Sequence, residues 1–145
     1  MVKTGIKVMD AMTKKPVYVA PNEAITNCTK LMLEKHIGSL LVEENDNLIG
    51  FLTERDLVRI ISLGIDPKTT KVKQIMTTKI ITITPEKDIY DAIMLMNKEN
   101  VRRLPVVLNN RIIGLLTLRD ILTIQPTLFD LIMDMVEIKK HHEKM

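Results

Sequence analysis

The stretch Gly50-Phe51-Leu52-Thr53-Glu54-Arg55-Asp56 returns 64 residues later as Gly114-Leu115-Leu116-Thr117-Leu118-Arg119-Asp120, a Gly-x-x-Thr-x-x-Asp spacing met twice in the same register. Each copy has the pattern of a strand running into a helix. Apolar residues lead up to the threonine, and an apolar-periodic segment follows the aspartate. A threonine three residues before an aspartate is a helix-start arrangement, because its hydroxyl can meet the first free backbone N–H groups while the carboxylate lies beside the helix origin. The same geometry offers an anion-friendly helix terminus, with partners suited to a ribose diol and a phosphate. The glycine is the odd member, since glycine weakens a strand interior unless something must approach the backbone closely.

Working outward, Val8–Leu57 aligns with Val72–Ile121 without a gap, with about a third of the positions identical. Met12-Thr13 matches Met76-Thr77, Pro21 matches Pro85, and Leu40 matches Leu104. Each copy is read as a short turn ending in Met-Thr, then β-α-β-β-α. In the first copy, Val17 and Val19 alternate as a strand, Pro21-Asn22 opens a helix, and Ile25, Cys28, Met32 and His36 share its face. Leu40–Val42 and Leu48–Leu52 form a hairpin around Asn45-Asp46-Asn47, and a helix over Glu54–Leu63 stops at Gly64. In the second copy, Ile81 and Ile83 form the strand, Thr84-Pro85 starts the helix, and Val106–Leu108 and Ile112–Leu116 form the hairpin around Asn109-Asn110.

Each copy has too few strands to be stable alone, so the two are expected to pack as one pseudo-twofold α/β (α+β) unit. The boundaries read 1–64 for the first repeat, 65–71 for a short linker and 72–125 for the second. Residues 126–145 are read as a C-terminal helix with Leu128, Leu131, Ile132, Met135 and Ile138 on one face.

The chain has 145 residues, 46% hydrophobic and 27% charged, which is the balance of one globular domain with a real core. With no Trp, 2 Tyr and 2 Phe, it lacks stacking platforms for single-stranded nucleic acid, and a net charge of +3 supplies no basic arm. Its methionines are read as core filler. No run has signal-peptide or membrane-span length, so a cytoplasmic location is expected. One cysteine, Cys28, allows no internal disulfide, and the three histidines lack metal spacing, so no metal is expected.

Taken together, Met12-Thr13 and Met76-Thr77, Gly38-Ser39-Leu40-Leu41-Val42, Val101-Arg102-Arg103-Leu104-Pro105-Val106-Val107 and the two Gly-x-x-Thr-x-x-Asp junctions resemble a tandem pair of cystathionine-beta-synthase-type (CBS) domains, a Bateman module of the stand-alone type. The resemblance covers residues 8–124. It implies a pair with two clefts, each able to hold AMP, ADP, ATP, S-adenosylmethionine or a related adenosine ligand as a regulatory ligand, with no catalytic cofactor. It further implies that Asp56 and Asp120 bind ribose, and that Thr53 and Thr117 face ribose or phosphate. Thr13, Pro16, Val17, Thr77, Ile80, Ile81, Leu40 and Leu104 would frame the adenine.

Family symmetry groups Thr53 and Asp56 with Thr77, Ile80, Ile81, Arg102 and Arg103. It groups Thr117 and Asp120 with Thr13, Pro16, Val17, Gly38 and Ser39. The arginines give fork-shaped bonds to phosphate where Gly38-Ser39 offers a hydroxyl and backbone, so the first group is expected to prefer a phosphorylated ligand.

An enzyme needs a nucleophile with its base, paired carboxylates in a cleft, or a metal, and the sequence carries none of these constellations. The expectation is a regulatory adenosine-ligand sensor that acts on a separate, unknown effector protein and forms a homodimer, with no membrane contact. The alternatives are a ligand-free protein-interaction scaffold and, less favoured, a nucleic-acid-binding module. For the Thr-x-x-Asp elements themselves the plain alternative is helix capping, and for Arg102 and Arg103 it is a solvated strand edge.

Overall fold

The computed structural model describes residues 3–130 and 132–134. The chain is organised as two compact units. A central unit runs Pro16–Ile80, and a flanking unit joins the N-terminal segment up to Lys15 with the chain from Ile81 onward. These units cut across the repeat pattern, because the Met-Thr element of each copy packs on the hairpin of the other.

In the central unit, β1 (Tyr18–Val19) runs parallel to β2 (Ser39–Glu44), which pairs antiparallel with β3 (Asn47–Thr53). The β2–β3 turn is Asn45-Asp46, with φ 52° and 64°. Two successive left-handed residues make the hairpin turn that matches strand twist, and Asn and Asp tolerate that conformation. Helix α2 (Ile25–Lys35) precedes the hairpin and α3 (Glu54–Ser62) follows it. Helix α2 ends on His36 at φ 56°, a left-handed cap, and the chain leaves α3 through Gly64 at φ 70°. The short helix α4 (Val72–Ile75) then delivers Thr77 to the β3 edge through a bridge to Phe51. Ile25, Cys28, Met32, Leu40, Val42, Leu52, Ile60 and Val72 form its core.

The flanking unit repeats the plan. Helix α1 (Val8–Ala11) brings Thr13 to a bridge with Leu115, on the strand that pairs with its hairpin partner. That hairpin is β4 (Arg103–Leu108) and β5 (Arg111–Thr117), turning at Asn109-Asn110 with φ 52° and 64°. Helix α5 (Ile89–Glu99) and α6 (Leu118–Ile124) flank it. Val8, Ile89, Ile93, Leu104, Val106, Leu116 and Ile121 are central to its core.

Three expectations are corrected here. The helices α2 and α5 begin at Ile25 and Ile89, later than Pro21 and Pro85, because the residues after each proline form a turn before Ala24 and Asp88 take the N-cap positions. The second copy's first strand is reduced to a single parallel bridge, Ile83 to Val106. At the C-terminal end, Pro126–Leu128 is a 3-10 turn, and 129, 130 and 132–134 are helical, with Ile132 entering the core. The rest of the expected C-terminal helix, including Leu131, Met135 and Ile138, lies outside the described residues.

Candidate functional site

The two Thr-x-x-Asp elements form complete capping boxes. In the central unit, the Thr53 backbone N–H donates to Asp56 Oδ2 at 2.9 Å, and the Asp56 N–H donates back to Thr53 Oγ1 at 3.3 Å. In the flanking unit, the Thr117 N–H donates to Asp120 Oδ2 at 3.0 Å, and the Asp120 N–H to Thr117 Oγ1 at 3.0 Å. The first free helix N–H is met from the neighbouring strand's entry, Glu54 N–H by the Gly38 carbonyl at 3.1 Å and Leu118 N–H by the Arg102 carbonyl at 3.0 Å. Capping therefore accounts for part of the repeated motif.

The carboxylates differ in what else they hold. Asp56 is 2% exposed. Its Oδ2 also accepts the Thr53 hydroxyl at 3.1 Å, and the Thr77 hydroxyl lies 3.2 Å from Oδ1 and 3.3 Å from Oδ2. Arg59, one turn along α3, places Nη1 3.7 Å from Oδ1. Asp120 is half-buried, and among the described residues its carboxylate accepts through Oδ2 from Thr117.

The repeated glycines are explained by the chain itself. A Cβ on Gly50 would stand 2.5 Å from the Met76 sulfur and 3.0 Å from the Thr77 carbonyl oxygen, and one on Gly114 would stand 2.5 Å from the Met12 sulfur and 2.8 Å from the Thr13 carbonyl oxygen. Each Met-Thr element thus lies against the glycine of the other copy, and the close approach is that of a peptide backbone. Thr77 exchanges backbone hydrogen bonds with Phe51 at 2.8 and 2.9 Å, and Thr13 with Leu115 at 2.9 and 3.0 Å.

Of the sequence candidates, Thr53, Asp56 and Thr77 come together in one hydrogen-bonded group of the central unit, which also contains Pro16, Val17, Gly38, Ser39, Leu40 and Ile80. Thr13, Ile81, Arg102, Arg103, Leu104, Thr117 and Asp120 belong to the flanking unit. The strand register sets Ser39 across from Thr53 and Arg103 across from Thr117. Residues directly opposite on an antiparallel pair share a face. Leu40 and Leu104, at 1% and 0% exposure, are sealed in the two cores, because strand alternation turns them to the helix-covered face. They present no surface to frame a base. Pro16, Val17, Ile80 and Ile81 keep partial exposure.

Sequence reasoning missed Arg59, whose signal was its position three residues after Asp56, and Asp88. The Asp88 carboxylate gathers the Thr4 and Gly5 N–H groups, the Thr4 hydroxyl and the Tyr90 N–H. Among the described residues no His, Cys, Asp and Glu group could hold a metal ion, and no helix is long and apolar enough to cross a membrane.

The CBS domain profile matches residues 8–63 and 72–126. The chain is 40% identical over 121 residues to protein MJ1232 of Methanocaldococcus jannaschii, a match that covers 83% of this chain and 40% of that protein. Among solved structures, the CBS domain protein NE2398 superposes with a TM-score of 0.77 at 31% identity, covering 81% of this chain and 95% of that one. The CBS domain pair of protein MJ0100, solved in complex with 5-methylthioadenosine and S-adenosyl-L-methionine, gives 0.74 at 25% identity, covering 82% and 94%. Two profile matches falling on the two copies of the duplicated pattern leave one conclusion: the chain belongs to the CBS domain family and carries two CBS repeats.

Proposed function

We propose that the chain is a regulatory module that binds an adenosine-containing ligand, one of AMP, ADP, ATP or S-adenosylmethionine, and passes its occupancy to a partner protein. The observation that carries this reading is the state of Asp120. Its backbone is fixed in a capping box, one carboxylate oxygen is used by Thr117, and the residue retains solvent exposure. A held carboxylate with an oxygen to spare suits a ribose diol, whose two hydroxyls are donors in search of an acceptor. The adenosine compounds held by the MJ0100 pair support the same ligand class.

A thermal-shift screen against AMP, ADP, ATP and S-adenosylmethionine tests this. A ligand at a hundredfold excess over its Kd stabilises the folded protein by about 2.7 kcal/mol. Asp120→Ala should weaken binding by an order of magnitude in calorimetric titration. No shift with any of the four overturns the reading.

A second reading, a ligand-free scaffold, draws on α3. Its exposed face carries Val58, Ile61 and, at its end, Leu63, at 66%, 73% and 66% exposure. Self-association through apolar surface of this kind gives a homodimer, which light scattering at micromolar concentration checks. Absence of any ligand shift together with a stable dimer would favour the scaffold.

A further inference from the structure

Asp56 and Asp120 are one residue repeated, in one repeated capping box, yet the chain uses their carboxylates differently. Asp56 is 2% exposed and its two oxygens receive the Thr77 hydroxyl at 3.2 and 3.3 Å, with Arg59 Nη1 3.7 Å from Oδ1. The aligned partner of Thr77 is Thr13, whose backbone is pinned to Leu115 in the same manner, but the hydrogen bonds of Asp120 among the described residues are those with Thr117. The aligned partner of Arg59 is Thr123, whose hydroxyl donates to the Arg119 carbonyl at 2.9 Å.

We infer that Thr77 is a built-in occupant of the first repeat's carboxylate, so that a ribose diol reaches Asp56 only by displacing the Thr77 hydroxyl. This rests on the adenosine-binding reading for its ligand, though the occupancy itself stands without one. A diol entering there exchanges one hydroxyl donor for another and gains less than it would at a carboxylate with an unused oxygen. The exchange needs no strand movement. Thr77 is exposed and its backbone is held by Phe51, so rotation of its side chain between staggered positions frees the carboxylate. The two repeats therefore differ in affinity through a residue outside the Thr-x-x-Asp motif.

Two experiments on the full chain decide it. The first needs no ligand: carbodiimide labelling of carboxylates with an amine, read by mass spectrometry, on the wild type, Thr77→Ala and Thr13→Ala. Asp120 should label at least tenfold faster than Asp56 in the wild type, and Thr77→Ala, which removes the occupying side chain, should raise Asp56 labelling several-fold while Thr13→Ala leaves Asp120 labelling unchanged. Equal labelling of the two aspartates in the wild type, or no response of Asp56 to Thr77→Ala, overturns the inference. The second is calorimetric titration with AMP and with S-adenosylmethionine. Thr77→Ala should tighten the weaker binding event several-fold, and an unchanged or weakened event overturns the inference. If neither compound binds wild type or variant, the adenosine reading fails, and the labelling result still decides whether Thr77 occupies Asp56.

Discussion

The carbonyl oxygen of Thr13 lies 2.8 Å from the point a Cβ on Gly114 would occupy, where the matching oxygen of Thr77 lies 3.0 Å from that point on Gly50. Neither glycine has a positive φ, so what each supplies is room. In both places a methionine sulfur is nearer still, at 2.5 Å, but a thioether side chain can swing aside and a bridged backbone carbonyl cannot. Gly114→Ala should therefore destabilise by about 1 to 3 kcal/mol, and Gly50→Ala by less. Urea unfolding of the two variants checks the order. Equal losses would mean that the methionines, and not the carbonyls, set the tolerance.

Gly50 and Gly114 also mark how far the sequence could be read. Their cost in a strand announced a close approach, and their repetition marked the approach as shared by both copies. The repeat by itself did not show the partner, because it places Met12 in the same copy as Gly50 while the fold lays it against Gly114; only the family resemblance, which groups Thr77 with Thr53 and Asp56, pointed across the copies. The hairpin turns were legible because Asn45-Asp46 and Asn109-Asn110 are local chemistry. The start of α2 was not, since Ala24 offers no capping side chain and the Ile25 N–H donates to the Thr70 carbonyl at 3.0 Å, a contact no local window contains. The identity of Asp56 with Asp120 concealed their difference for the same reason. It is set by Thr77 and Arg59, one of them distant in sequence.

That difference has a consequence for stability. Removing the buried Asp56 side chain takes the acceptor from the half-buried Thr53 N–H and hydroxyl, whereas the exposed Thr77 can turn its hydroxyl to solvent. Asp56→Ala should cost about 2 to 3 kcal/mol, since several hydrogen bonds to a charged group are lost at once and the half-buried Thr53 N–H is left with only partial access to water. Asp120→Ala removes one capping bond at a half-buried site and should cost about 1 kcal/mol. Thermal unfolding of both variants without ligand checks the ranking, and a larger loss for Asp120→Ala would contradict the described hydrogen bonding.

Acid should act through Asp88. Burial alone would raise this carboxyl, but hydrogen bonds from the Tyr90 N–H, the Thr4 hydroxyl and the Thr4 and Gly5 N–H groups outweigh it and hold the group below the usual aspartate range. A carboxyl whose folded value is depressed stabilises the fold above its unfolded pKa, near 3.9, and loses that contribution as pH falls through the folded value. Wild type should therefore lose stability steadily below about pH 4. Asp88→Asn, already without the contribution at neutral pH, should be less stable there and show a shallower decline. Urea midpoints across the acid range test this, and parallel profiles for the two proteins would remove Asp88 as the acid-sensitive group.

Cys28 offers a probe of the central unit alone. Burial, and behind it the charge of Glu23, push its thiol up to about 11, and the residue is 0% exposed. Reaction with a disulfide reagent requires both thiolate and access. Native protein at about pH 8 should therefore resist labelling until urea exposes the thiol. What labelling remains without urea reports opening of the core that holds Cys28 together with Leu40, Leu52 and Val72. Gly50→Ala strains that unit, whereas Gly114→Ala strains the flanking one with its separate core. If the units open separately, Gly50→Ala should accelerate labelling several-fold and Gly114→Ala should leave it near the wild-type rate, although the latter is the greater loss in global stability. Acceleration by both in proportion to that loss would instead mean that the two units open as one.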